Sequence, residues 1–347
     1  MMTMRKYAHK ISQPALMAMT AALFLITACQ QRETDSSQQP VPISLCTNIG
    51  DNSSTRASAQ THLNAAATNF SANQQVALFI TEHDPSTGTE KTANTAGLTY
   101  AGQLHPMTTT VSGSTYTLSF AESPATRYWP DSGNKLSFYA WHPYSATGPF
   151  AGQTAASTPT FTVAVDQSSN ATYAACDLMT AQLVNQVRST SAQTLTFTHA
   201  LSKIIVVLKA DENSSITAAQ LAAARVELTG TEQAPIYLSA TVDIKGGTAT
   251  YQSAGTTTQA LQLGTGASLF AVLPPGQSLV GRQVSITIEG KTQSYPITSI
   301  SSLVAGKKYT FTLELSSIRQ DYGKTLTVSI APWDTPDEDL PDPRLSL

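Results

Sequence analysis

The sequence predicts an all-β protein, with β-sandwiches in tandem behind an unstructured N-terminal signal and tether. Three observations carry this expectation. Charged residues make up only 12% of 347 positions, about half the usual share, and Thr, Ser, Gln and Ala take their place. Thr fits a pleated surface better than a helix. Apolar residues recur in short alternating runs separated by Gly, Pro, Ser, Asn and Asp, the pattern of sandwich strands. No strand-like runs alternate with long helical ones, which excludes a parallel α/β sheet. Hydrophobic residues, at 41%, are spread along the chain, so it is not a disordered one, and its length suffices for two domains with separate cores.

Residues 1–28 read as an export signal. Arg5, Lys6 and Lys10 precede ALMAMTAALFLITA, an apolar stretch too short to span a bilayer. It ends in Ile26-Thr27-Ala28-Cys29, which looks like a bacterial lipobox, with cleavage before Cys29 and lipidation of that cysteine. An ordinary secretory signal with an incidental cysteine is the alternative. Several acyl chains hold a protein to a membrane far better than one. Residues 29–40 then form a polar tether without periodicity. The formal net charge is −3, and loss of the signal leaves 17 of the 20 basic residues against 23 acidic ones, a net of −6. No basic stripe remains to neutralise phosphates, so nucleic acid is not an expected partner.

Next comes VPISLCTNIG, residues 41–50. Val41, Ile43, Leu45, Thr47 and Ile49 fall on one face; Pro42, Ser44, Cys46, Asn48 and Gly50 fall on the other. Period-two alternation marks a strand with one buried face, and Pro42 near its start suits an edge position. DNSSTRASAQ follows, small and polar, the kind of loop that proteases nick. Arg56 is the only basic residue between Arg32 and Lys91. On composition alone, an unremarkable loop with a solvated arginine is the better reading than a cleavage site.

Further strands are expected at 74–81, 114–120, 135–141, 160–165, 194–209, 225–230, 236–244, 268–273, 283–290, 307–315 and 324–333. One helix is expected over 216–224, with Ser215 as its N-cap. The polar stretch NQVRSTSAQ near 185–193 suggests a boundary, with one domain over 57–190 and a second over 191–347. The C-terminal stretch begins as a strand with Leu326, Val328 and Ile330 on one face and ends in a Pro-rich acidic tail containing Leu340, Leu345 and Leu347. That tail reads as solvated, although its acids could hold a cation loosely.

The residues exclude most chemistry. The six histidines (9, 62, 83, 105, 142 and 199) lack metal-ligand spacing, and no nucleophile elbow, phosphate-cradling loop or dinucleotide fingerprint is present. Neither an enzyme, a metal nor a cofactor is expected. With Cys29 lipidated, Cys46 and Cys176 remain. An exported pair could form a disulfide, or either could be a small core or surface residue.

Several segments together resemble the fimbrillin family, the subunits of type V pili of Gram-negative bacteria. They are the lipobox at Cys29, the strand before Ser54-Thr55-Arg56-Ala57, LSFYAWHPY (136–144), DLMTAQ (177–182), LTFTHALSKIIVVL (195–208), LPPGQ (273–277) and LVAGKKYTFTLEL (303–315), with Ala331-Pro332-Trp333 closing the set. The resemblance implies two sandwich domains of transthyretin-like topology, export as an outer-membrane lipoprotein, and a later place in a surface fimbrium. It also implies an arginine-specific protease cutting between Arg56 and Ala57. The anchor and strand 41–49 would depart together, and another subunit's terminal strand would fill the groove. In this chain the candidate donor residues are Leu326, Val328, Ile330, Leu340, Leu345 and Leu347.

Two functions follow. The first is a structural pilin or tip adhesin joined to other subunits by strand exchange. The second is a lipoprotein that stays anchored and binds glycan or host ligand through Tyr128, Trp129, Trp141, Tyr144 and Trp333. Burial of those aromatics would count against it.

Overall fold

The computed structural model describes residues 39–50, 69–91, 95–212, 214–316 and 323–333. The chain is nearly all β. Its first strands are β1 (Leu45–Ile49), β2 (Gln75–His83), β3 (Ala101–Ser112), β4 (Thr115–Phe120), β5 (Lys135–His142) and the short β6 (Thr160–Thr162). Helix α1 (Asn170–Cys176) precedes β7 (Met179–Gln186) and β8 (Gln193–His199). All of these strands except β6 close into a seven-stranded barrel in the order β1-β4-β3-β2-β5-β7-β8. Each join is antiparallel except that of β1 with β8, which is parallel.

Burial explains why β2 and β5 lack polar alternation. Val76, Leu78, Ile80, Phe138 and Ala140 point into the barrel's apolar cluster. Their neighbours Ala77, Phe79, Tyr139 and Trp141 belong to a second cluster on the opposite face. A strand buried on both sides reads as a continuous apolar run. β3 is the contrary case. Its AGQLHPMTTTVS buries His105, Met107 and Thr109 on one face, so a Thr-rich run containing Pro106 forms a full strand that was not expected from the sequence.

The second cluster continues into the later elements, which are β9 (Ser202–Ala210), α2 (Ala218–Ala222), β10 (Arg225–Thr229), β11 (Ile236–Tyr237), β12 (Ser239–Asp243), β13 (Thr248–Tyr251), β14 (Thr257–Thr258), β15 (Ala260–Thr265), β16 (Ser268–Leu273), β17 (Gln283–Ile288), β18 (Lys291–Pro296), β19 (Lys307–Leu315) and β20 (Gly323–Pro332). They form sheets ordered β16-β9-β19-β20, β15-β10-β17-β18 and β13-β12-β6, with β11 paired to β14.

Several details differ from expectation. TLTFTHALSKIIVVLK is two strands, not one: the chain turns at Ala200–Leu201, leaving β8 in the barrel and β9 in another sheet. There the Ala200 amide donates to the Leu178 carbonyl and the Gly306 amide to the Leu201 carbonyl, each at 2.8 Å. Residues 185–193, taken as a boundary, connect β7 to β8 inside the barrel, and β6 pairs with β12 among the later sheets. The second helix starts later than 216 and is capped by Thr217 rather than Ser215. Thr217 and Gln220 form a reciprocal capping box that satisfies two first-turn amides. Helix α1, capped by Ser169, was not expected.

Cys46 and Cys176 are both free thiols, so the disulfide considered from the sequence is absent. Cys46 lies half-buried on the outward face of β1. Cys176 is buried in the second cluster, where its sulfur accepts from the Ala164 amide and burial pushes the thiol up to about 11.

Candidate functional site: the berth of the first strand

The inward row of β1 behaves as its alternation predicts. Ile43, Leu45, Thr47 and Ile49 are all buried and Val41 is half-buried, whereas Pro42 and Ser44 are exposed and Cys46, Asn48 and Gly50 are intermediate. Ile43, Leu45 and Ile49 share the barrel cluster with Phe70, Leu118, Phe120, Trp129, Leu195 and Phe197. Burying each aliphatic side chain contributes roughly 1.5–3 kcal/mol.

The strand is not an edge, as Pro42 had suggested, but the closing stave. Against β8 it pairs in register from Leu45↔Gln193 to Ile49↔Phe197. The ladder is extended by the Gln193 amide donating to the Ser44 carbonyl (2.9 Å) and the Gly50 amide to the Phe197 carbonyl (2.8 Å). Against β4 the register covers only Leu45↔Leu118 and Cys46↔Thr117. The β1–β4 seam is therefore short, and two other groups complete it.

Upstream, residues 127–129 take over from β4. The Ile43 amide donates to the Arg127 carbonyl at 2.8 Å, and the Trp129 amide donates to the Val41 carbonyl at 2.9 Å. Tyr100 holds this segment by donating its hydroxyl to the Tyr128 carbonyl at 2.7 Å, and burial pushes the phenol up to about 12. Trp129 packs edge-on against Phe138. His105 packs edge-on against both Tyr100 and Phe120, while the Arg127 guanidinium lies 5.6 Å from the Phe120 ring centre. Burial first, then the Arg127 charge, lowers His105 to about 4, so its ring is neutral near pH 7.

Downstream, Asn69 takes over. Its side-chain amide donates to the Thr47 carbonyl at 2.5 Å, its side-chain oxygen accepts from the Thr47 hydroxyl at 2.5 Å, and that oxygen also accepts from the Phe70 amide at 2.9 Å. Thr47 and Asn69 are both buried. Sequence reasoning did not single out Asn69. The one signal for it was Thr47, a lone hydroxyl in an otherwise aliphatic row, which requires a buried partner.

The cleavage candidates Arg56 and Ala57 lie outside the described residues, as does Cys29; so do Leu340, Leu345 and Leu347 of the candidate donor segment. Leu326, Val328 and Ile330 lie on β20, which pairs with β19 from Lys307↔Pro332 to Leu315↔Gly323. Leu326 and Val328 are partly buried against the second cluster and Ile330 is exposed. The structure thus places these residues in the chain's own sheet, away from the berth of β1. Just after β20 comes Trp333, whose ring stacks at 4.0 Å on His199, itself hydrogen-bonded to Asp177 at 2.7 Å.

The aromatic residues of the ligand-binding reading do not form a platform. Trp129, Trp141 and Trp333 are buried and Tyr144 is partly so; Tyr128 alone is exposed. Among the described residues, no three His, Cys, Asp or Glu side chains gather in a metal-binding group, and no helix is long and apolar enough to cross a membrane.

Residues 55–333 match the family described as fimbrillin-like. No curated protein matches the chain. Among solved structures, a candidate cell adhesion protein from Bacteroides uniformis superposes with a TM-score of 0.60 at 20% identity, covering 86% of this chain and 100% of that one. A candidate cell adhesion protein from Bacteroides ovatus gives 0.58 at 18% identity, covering 85% and 98%. Both likenesses concern the fold. The matched family is one of structural proteins, not enzymes. With the match spanning most of its length, this chain belongs to the fimbrillin-like family.

Proposed function

We propose that this chain is a pilin, a shaft or tip subunit of a surface fimbrium, exported as an outer-membrane lipoprotein through Cys29 and assembled by strand exchange. The observation that carries the reading is the placement of β1. It closes the barrel from a position just upstream of Arg56 in the sequence, so one cut there frees the closing stave from the rest of the chain. In the precursor, β1 satisfies the backbone groups of β8 and β4 and covers the barrel's interior, which would otherwise be a sticky open seam. An arginine-specific protease cutting between Arg56 and Ala57 makes those contacts dissociable. A strand from another pilin subunit then occupies the berth by β-strand addition. Such a contact joins head to tail without closing, so it propagates.

Residues 1–28 act as the signal, removed before Cys29, and 29–40 act as the tether, which departs with the lipid anchor and the strand. Membrane attachment thus belongs to the precursor and cell-surface fimbrium to the product. Family membership and the adhesion descriptions of the two structural neighbours support a role in adhesion. The burial of three of the five candidate aromatics weighs against the anchored glycan-binding alternative.

The test uses the exported chain without its lipid. Limited trypsin should give one early cut and species on gels that resist mild denaturation, and Arg56→Ala should abolish both. A cut at Arg56 after which residues 41–56 stay bound and the chain stays monomeric would refute assembly by exchange.

A further inference from the structure

We infer that Asn69 determines which strand can occupy the berth, by requiring a hydroxyl at the third inward position, and that the matching strand comes from a different polypeptide. This rests on the strand-exchange reading above and adds to it the chemistry and register of the partner.

The inward row of the resident strand is Ile43, Leu45, Thr47, Ile49. Three members meet apolar surroundings, whereas the third meets a buried amide. Asn69 donates to the Thr47 carbonyl and accepts from its hydroxyl. Any strand running in the same direction supplies the carbonyl, because that atom is main chain. Only Ser or Thr supplies the hydroxyl. Val, Ile or Leu at that position would leave the Asn69 oxygen with the Phe70 amide alone, facing a methyl group in a buried site. A slip of two residues would present an aliphatic side chain to Asn69 and would bury the hydroxyl among apolar groups, so both sites would be mismatched. A single buried polar position in an apolar seam fixes register in the same way in coiled coils.

Asn69 follows Arg56 in the sequence, whereas Thr47 precedes it, so a cut after Arg56 leaves Asn69 with the barrel and removes Thr47. The selecting group therefore outlasts the strand it held. The fitting occupant has aliphatic, aliphatic, Ser or Thr, then aliphatic residues at alternate positions. Residues 323–347 contain no Ser or Thr with Val, Ile or Leu two positions away on both sides. In the frame of Leu326, Val328 and Ile330, the residue facing Asn69 would be Ile330. The chain's own C-terminal segment does not fit its own berth, which points to a heterotypic joint.

The test takes the full exported chain nicked after Arg56 and challenges it with labelled peptides. They carry residues 41–50, the same with Thr47→Ser, the same with Thr47→Val, and residues 323–333. Loss of one buried hydrogen bond predicts about tenfold weaker capture of the Thr47→Val peptide, with the Thr47→Ser peptide close to the parent and the 323–333 peptide weak. Asn69→Ala in the barrel should erase the Thr-against-Val difference. Equal capture of the Thr and Val peptides by the unmutated barrel would overturn the role of Asn69 while leaving strand exchange standing. Capture of 323–333 as tight as 41–50 would overturn the heterotypic joint. Should no peptide displace residues 41–56, the exchange reading itself fails. The pairing is then judged in the uncut chain by urea unfolding of Thr47→Val, Asn69→Ala and the double variant, where additive effects would overturn it.

Discussion

Leu45→Ala distinguishes a strand built into the barrel from one resting on its surface. Leu45 is 2% exposed, sits in register with Leu118 on one side and Gln193 on the other, and belongs to the barrel's apolar cluster. Truncating a leucine in such a setting costs about 2–5 kcal/mol, the lost transfer free energy plus the cavity left behind. Neighbours pack it from two strands and leave little room to collapse, so we expect about 3 kcal/mol. Ser44→Ala, one residue away on the exposed face, should change stability by no more than about 0.5 kcal/mol. Urea unfolding followed by the fluorescence of the buried tryptophans reads both. After a cut at Arg56 the same 3 kcal/mol should weaken retention of residues 41–56 about 150-fold, measured by the rate at which the fragment leaves the barrel. If Leu45→Ala proves no costlier than Ser44→Ala, β1 does not close the barrel and the argument built on it fails.

Three other measurements probe the rest of the fold. His105 titrates at about 4 in the fold against 6.5 in the unfolded chain, so the unfolded state binds the proton more readily. The stability this confers is fully present above about pH 6.5 and is lost as pH falls toward 4, by at most about 3 kcal/mol, and His105→Phe should flatten that part of a pH–stability curve. Asp177→Ala removes the buried carboxylate that is hydrogen-bonded to the His199 ring beneath Trp333, and a loss of about 1–3 kcal/mol is expected in thermal or urea unfolding, compared with less than 1 kcal/mol for a surface control such as Asp131→Ala, opposite Arg188. Thiol titration of the exported, unlipidated chain should find Cys46 reacting in the native state and Cys176 reacting only with unfolding, because burial both hides the latter and raises its pKa.

Where one face of a strand meets oil and the other meets water, the sequence was readable. Residues 41–49 alternate because only their odd positions enter the barrel, and that row could be assigned residue by residue. Both-sided strands were readable as strands but not as to location: FYAW divides between two clusters, and nothing in its composition says that each face is buried. β3 escaped notice because its inward residues include His105 and Thr109, polar side chains whose burial depends on partners far along the chain. The turn at Ala200–Leu201 was invisible because both residues are apolar and buried, so the hydrophobic run continues while the sheet changes. The neighbours of β1 are set by non-local pairing, with β8 nearly 150 residues downstream, and period-two patterning carries no information about them. Asn69 was missed for the same reason: beside a polar loop, one asparagine looks like loop until its partner is known.

The most direct measurement is the mass of the chains within the assembled product. Exported protein is cut with an arginine-specific protease in the presence of its partner subunits, denaturation-resistant species are isolated, and their mass and bound peptides are read. The account predicts chains beginning at Ala57, with residues up to Arg56 released into solution and a segment of another subunit protected in their place. Assemblies whose chains still hold residues 41–49 in the barrel would contradict it.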